Sequence, residues 1–545
     1  MKFDYSKNSK SLVLVWALIV LFLAVCVIYP LACILKSVTI EDLKNVMTQP
    51  VLHAVMKNTL LECLCSTSLS VIVGYIFAYA VVKTNIPFKK VFSIVPVLHL
   101  ITPPFVGGLA FILLFGRQGF ITQKILGLDV SLYGFTGLLI TQTLCFFPMA
   151  YLICSQVLKG INPDLEKAAR SLGAGELRIF FTITFPLSLP GILSSFLFIA
   201  VSVLSDFGNP LIVGGRFRVI AVEIYTQLTG WLNVGNSAML GIILVVPSVI
   251  LFLLQNRLNK KLQNKTSTIS GKGFNSADEN HCSLIAGIFL FIFTAFVSLV
   301  IFSQIASIVV GSFQKIWGVK TQFTLKHILS MKDYTSHLSD SVFFALIAAT
   351  FSTLIASVSS YLVHRTDVHL KKTIDVIAQL PSAIPGSLLG LSIAVASQKI
   401  HFNYSPALII IAMTVAFMPF AYRVISNTYA QINSTLDNGA RSLGANQMTV
   451  LGTVIMPVAK GGLFSGFIYD FIRGVGTLSA VIFLVSFDTP LASIQLINLA
   501  EQGTWGKAAA LALVLTLITF LILGFGILID RLFFKFRRHY VSFAG

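Results

Sequence analysis

The sequence predicts an all-α polytopic membrane protein built from two homologous six-helix halves, about 12 transmembrane helices in all. Three observations carry that reading. Hydrophobic residues make up 56% of the 545 residues and charged residues only 11%, where a soluble chain holds about a quarter charged. Twelve apolar runs reach the roughly 20 residues that a membrane-spanning helix needs. A fourteen-residue segment recurs 271 residues further along the chain.

The runs, in order, are 12–35, 59–82, 91–115, 133–157, 186–208, 237–256, 283–311, 341–363, 374–398, 405–427, 458–486 and 508–533. A mean hydropathy of +0.86 leaves more apolar surface than a soluble fold could cover. Disorder, collagen and coiled coil are excluded for the same reason. The first run is longer than a signal-peptide core and no small-residue cleavage site follows it, so it is expected to stay as a helix. The net charge of +18 would suggest nucleic acid in a soluble chain. Here it follows sidedness instead: 25 of the 39 Lys and Arg fall in the stretches that share the side of the N-terminus. Both termini are therefore expected in the cytoplasm, with the lipid bilayer as surroundings and no nucleic acid partner. The seven cysteines lie in or beside apolar runs without zinc-ligand spacing and read as packing residues.

The repeat fixes the domain organisation. Ile161-Asn162-Pro163-Asp164-Leu165-Glu166-Lys167-Ala168-Ala169-Arg170-Ser171-Leu172-Gly173-Ala174 returns as Ile432-Asn433-Ser434-Thr435-Leu436-Asp437-Asn438-Gly439-Ala440-Arg441-Ser442-Leu443-Gly444-Ala445, with nine of fourteen positions identical. Pro186 and Pro457 keep the same offset. Lys83-Thr84-Asn85 with Lys89-Lys90 matches Arg365-Thr366-Asp367 with Lys371-Lys372 at an offset of 282. The expected division is a first half over 1–258, a polar linker over 259–282 and a second half over 283–545. Six is even, so the halves share orientation, as parallel repeats about an axis along the membrane normal.

The repeated loop has a physical reading of its own. Asn162 can cap a helix whose first turn holds Pro163 and Asp164. That helix is expected to reach Leu172 and stop at Gly173, where a left-handed residue is least strained. About ten residues cannot hold a helix alone. Leu165, Ala169 and Leu172 share one face, and two copies just inside the membrane suggest docking surfaces for a two-fold partner.

These loops resemble the EAA loops of bacterial ABC-importer permeases: Glu-Ala-Ala, three residues, Gly, nine residues, Ile, one residue, Leu-Pro. The first copy, about 160–186, reads Lys167-Ala168-Ala169, Gly173, Ile183, Phe185-Pro186. The second, about 431–457, reads Asn438-Gly439-Ala440, Gly444, Val454, Met456-Pro457. The acidic position is replaced in both copies, and Glu166 and Asp437, one residue earlier, are candidates to supply it. Asp206-Phe207-Gly208-Asn209-Pro210 and Thr477-Leu478-Ser479-Ala480-Val481-Ile482-Phe483-Leu484 are similar to the fused two-half permeases of ferric-iron uptake. Related fused permeases carry thiamine, hexose phosphates or organophosphonates.

The resemblance implies a type I importer fold in a bacterial inner membrane. It implies two partners: an ABC ATPase dimer at the inner face, and a periplasmic or lipoprotein substrate-binding protein at the outer face. Glu166, Lys167, Ala168, Ala169, Arg170 and Gly173, with Asp437, Asn438, Gly439, Ala440, Arg441 and Gly444, would dock the ATPase. The chain holds no G-x-x-x-x-G-K-[ST] phosphate loop, so ATP and Mg are expected in the partner, no cofactor or metal is expected in this chain, and it is not expected to be an enzyme. A major-facilitator transporter is the rival twelve-span architecture, but its Gly, Asp and Arg pattern is absent from the loop after span two.

The cargo is left open by the charges. Asp206, Glu223 and Asp488 would suit a cation, and Arg216 and Arg218 an anion. Asp470 and Arg473 lie three apart in span eleven and are expected to pair on one helix face. Such a pair at membrane depth either fixes packing or marks the path or its gate, together with Asp206.

Overall fold

The computed structural model describes residues 10–102, 104–117, 119–127, 132–269 and 284–541. Most of the linker lies outside them. Among the described residues, nine helices are long and apolar enough to cross a membrane, and eleven if each of two sharply bent pairs counts as one span. The nine are Ser11–Lys36, Pro50–Lys83, Phe135–Gly160, Glu176–Leu204, Val234–Leu258, Leu284–Phe313, Lys326–Arg365, Ser405–Gln431 and Trp505–Gly526. They coincide with expected spans one, two, four to eight, ten and twelve.

Three expected spans are not straight helices. Span three is split into Lys89–Ile101 and Pro104–Phe115. Span nine is Lys371–Ala383 and Gly386–Lys399, bent by 111°. Both breaks have one cause. Thr102 (ψ 137) and Ile384 (ψ 124) are extended, the conformation a following proline favours; Pro103 and Pro385 follow them. Span eleven, expected over 458–486, bends by 79° before Lys460–Val475, beside the Gly461-Gly462 pair. It then stops at Val475, and 476–491 run as turns. Irregular backbone at membrane depth is tolerated where it is covered by protein or lines a cavity. Here Gly386 and Gly390 let span nine press against it: a Cβ on Gly390 would lie 2.6 Å from the Ala480 carbonyl oxygen.

Packing repeats as the sequence does. Span two packs on spans four and five, and span eight packs on spans ten and eleven. Pro148 and Pro419 sit inside spans four and ten. Phe88 and Leu370, one residue before spans three and nine, both have left-handed φ, 58° and 62°. Spans one and seven are the least buried of the long helices, at 22% and 28%, and span four the most, at 67%. Each outer helix packs in part on the other half of the chain. Span one packs on spans eight and nine, and Trp16 Nε1 donates to the His369 carbonyl at 3.0 Å. Span seven packs on spans two and three, and the Trp317 indole just after it donates to the Leu113 carbonyl at 3.0 Å.

Candidate functional site

The repeated loops form two matching short helices, the loop rim. Pro163–Ser171 is a helix capped by Asn162, whose side chain accepts from the Asp164 amide. Thr435–Ser442 is its counterpart, with Asn433 accepting from the Thr435 amide at 3.0 Å. Both end in the same paired bonds. Gly173 N donates to Arg170 O and Ala174 N to Ala169 O; Gly444 N donates to Arg441 O and Ala445 N to Ala440 O. This is the Schellman geometry, which needs a left-handed residue, and Gly173 and Gly444 supply it at φ 82° and 84°.

The two carboxylates expected to face a partner face inward instead. Glu166 accepts from Lys83 Nζ at 2.9 Å and from Thr184 Oγ1 at 3.0 Å. Asp437 accepts from Arg365 at 3.1 Å, and Arg365 also donates to the carbonyls of Tyr429 and Ile432. Both pairs are buried, with side chains at most 10% exposed. The two sequence matches, at offsets 271 and 282, are thus the two ends of one ion pair. Lys89 donates to the Thr84 carbonyl at 3.0 Å. The loop helices leave leucines exposed among polar residues. Leu165 and Leu436 are 45% and 46% accessible, and Leu172 and Leu443 are 89% and 91%. Lys167, Ala168, Asn438, Gly439 and Arg441 share that surface, with Ala169, Arg170 and Ala440 half-buried at its edge.

A second place lies at membrane depth. A cavity of about 230 Å³ opens between spans four and five on one side and spans nine, ten and eleven on the other. Asp206 and Arg473 both line it. Asp470 does not: it is 2% exposed, takes a hydrogen bond from Ser352, and leaves Oδ1 without a partner. The expected Asp470–Arg473 pair is therefore not formed. Helical spacing brought the two onto neighbouring turns, but packing turned the acid toward span eight and the base toward the cavity. Arg473 lies over the Tyr469 ring, 5.8 Å from its centroid, and Tyr469 stacks on Phe420 at 3.5 Å.

Behind Asp206 is a polar chain that the sequence reading missed. Gln142 Nε2 donates to Glu62 at 2.6 Å and to Asp206 at 3.0 Å, and Asn209 Nδ2 donates to Asp206 at 2.9 Å. Glu62 and Gln142 are buried. A Glu inside an expected span was the signal available, because an ionisable group at that depth is a functional candidate by default. The other charges fall elsewhere. Glu223 pairs with Arg218 at 3.7 Å and accepts from Gln227, while Arg216 and Asp488 are exposed. Among the described residues no group of three or more His, Cys, Asp and Glu converges as a metal site.

Residues 70–264 and 367–535 match the family of binding-protein-dependent transport system inner membrane components. The chain belongs to this family. It is an inner-membrane permease component, a transport subunit by that description. It is 30% identical over 541 residues to the ferric transport system permease protein FbpB of Actinobacillus pleuropneumoniae, covering 93% of this chain and 76% of that protein. The Fe(3+)-transport system permease protein FbpB 2 of Haemophilus influenzae is 24% identical over 485 residues, 87% of this chain and 90% of that protein. The molybdenum transport system permease protein ModB of Escherichia coli is 30% identical over 220 residues, 39% of this chain and 95% of that protein.

Proposed function

We propose that this permease carries ferric iron across the inner membrane and is driven by a separate ABC ATPase dimer. The observation that carries the reading is the pair of loop helices, equal in cap, in inward anchor and in exposed leucines, in a family member whose near full-length relatives are ferric permeases. Two equal docking points, each with exposed leucines, suit two equal ATPase subunits. Glu166 and Asp437 anchor each helix to its own half. Lys167, Ala168, Ala169, Arg170 and Gly173, and Asn438, Gly439, Ala440, Arg441 and Gly444, make the docking surface. ATP and Mg belong to the partner, and the chain itself catalyses nothing.

The same reading divides the chain into halves over 1–258 and 283–545 joined by 259–282, each with six spans. It is supported by the repeated packing and by ModB, which aligns over 95% of its own length with 39% of this chain. Span three counts as the twelfth, broken at its proline. The loop rim and both termini face the cytoplasm, and a substrate-binding protein delivers to the opposite face. The cavity between the halves is the path, with Asp206 and Arg473 on it. Reconstituted with its ATPase and binding protein, the permease is expected to import radioactive ferric iron only with ATP. Import of molybdate or sulfate in place of iron would overturn the cargo, and iron import without an ATPase would overturn the mechanism.

A further inference from the structure

We propose that the cavity takes its cargo as a metal–oxyanion complex, a ferric ion that keeps carboxylate or phosphate ligands, and not as a bare cation. The inference rests on the ferric reading above and names the form in which the ion crosses. Asp206 and Arg473 both line one cavity of about 230 Å³, and Arg473 is in none of the ion pairs among the described residues. One acid and one base in so small a space cancel each other for a bare cation, which gains from the carboxylate what it loses to the guanidinium. A complex with a cationic centre and anionic ligands gains from both.

The two groups are also set for such a ligand. Asp206 Oδ2 accepts from Gln142 and Asn209, and Oδ1 accepts only from the Asn209 amide at 3.4 Å. A carboxylate has about four lone-pair sites, so Oδ1 keeps one for a metal or a bound water. Gln142 and Asn209 are positioning residues here; they hold the carboxylate in place from behind. The Arg473 guanidinium rests over Tyr469, which is itself stacked on Phe420. Arg473 makes no ion pair among the described residues, so its fork is available for the bidentate match to carboxylate and phosphate that a guanidinium offers. Ser202, Ser205 and Thr477 add hydroxyls to the lining. The arrangement occurs once: at the offset of 271, Asp206 corresponds to Thr477 and Arg473 to Ser202. A single complex lying across the axis needs no second copy.

The test uses the full permease–ATPase complex in lipid nanodiscs, with three probes: radioactive ferric citrate, radioactive ferric phosphate, and lanthanum chloride as a bare trivalent cation. Wild type should hold both iron complexes, with lanthanum a poor competitor. Arg473→Gln should weaken both by about tenfold or more and make lanthanum a better competitor. Arg473→Lys should recover part of the loss. Asp206→Asn should weaken the iron complexes without improving lanthanum. A preference for citrate over phosphate, or the reverse, identifies the oxyanion.

Several results overturn the inference. One is equal competition by lanthanum in wild type and Arg473→Gln. Another is unchanged iron binding in Arg473→Gln with the protein folded and its ATPase attached, and a third is no iron binding by wild type. Restoration of uptake by the double exchange Asp206→Arg with Arg473→Asp would make the two a closing gate and also end the proposal. If wild type imports no iron in the reconstituted system, the ferric reading fails; if it imports iron and Arg473→Gln behaves as wild type, only the present inference fails.

Discussion

The loop rim and the central cavity are built from the same repeat and have diverged to different degrees. At the rim, Lys83–Glu166 and Arg365–Asp437 are the same bond made twice, and Gly173 and Gly444 end their helices within 2° of each other in φ. At the cavity the equivalents are unlike: Asp206 against Thr477, Ser202 against Arg473, a continuous span five against a bent and shortened span eleven. The physical difference is in what each region touches. On the proposed reading the rim meets two equal ATPase subunits and is constrained twice to one shape. A cavity on the axis meets one ligand, and a ligand without two-fold symmetry needs unlike walls.

The strongest way to break the comparison is at the glycines. Gly173→Val combined with Gly444→Val forces a β-branched residue into the left-handed region, at roughly 1–2 kcal/mol for each site. A Cβ at either position meets nothing within 4 Å, so the chain should insert and fold. ATPase co-purification and iron uptake should both fall by about tenfold or more. The two single variants should lose similar amounts. Normal uptake by the double variant would mean that these helices are not where the ATPase docks.

The ion pairs come next. Lys83→Met and Arg365→Met each leave a buried carboxylate without its cation, a loss of about 3–5 kcal/mol when a buried pair is broken. The losses should be unequal, because Glu166 keeps Thr184 as a donor whereas Asp437 Oδ1 already has none and Arg365 also holds two carbonyls. Thermal unfolding of the two variants measures the difference. Equal losses would mean that the extra contacts of Arg365 contribute nothing. Removing the acid together with its base, as in Lys83→Met with Glu166→Met, should return much of the stability.

What could be read from the sequence follows the same division. The rim was legible because repetition is visible without structure: the Asn162 cap, the helix end at Gly173 and nine of the twelve apolar runs stand where composition and spacing put them. The direction of Glu166 and Asp437 was not legible, since a helix of nine residues exposes and buries neighbouring positions alike until its packing partner is known. Span nine reads as one apolar run although Pro385 breaks it, because hydropathy does not register a backbone turn. The cavity was harder still. Glu62, Gln142 and Asp206 are 144 positions apart from first to last, and only the packing of spans two, four and five makes them one chain of hydrogen bonds.

That chain offers a smaller and purely first-half effect. Gln142→Leu removes the one amide shared by Glu62 and Asp206. Each loses a donor worth about 1–3 kcal/mol to a buried group, although Asp206 keeps Asn209. Thermal stability should drop while the ATPase stays attached, since no rim contact changes. Loss of the ATPase in this variant would tie the two regions together more tightly than their packing indicates.

The smallest expected effect is at Asp470, and it separates helical spacing from actual contact. If Asp470 and Arg473 were a pair, Asp470→Asn would strand a guanidinium at membrane depth, and Arg473→Gln would rescue it. In the structure the acid is turned to Ser352, its second oxygen has no donor, and Arg473 lies on the cavity side over Tyr469. An asparagine keeps an oxygen for the Ser352 hydroxyl, so Asp470→Asn should change stability by about 1 kcal/mol or less and leave iron uptake as it was. Arg473→Gln should cost the same whether or not Asp470 is changed, because the two share no hydrogen bond or ion pair through which to couple. Expression, thermal unfolding and uptake of the two singles and the double complete the cycle. A coupling well above the usual error of about 0.5 kcal/mol, with Arg473→Gln restoring a damaged Asp470→Asn, would show that the pair closes in some working state and that span eleven turns about its own axis during transport.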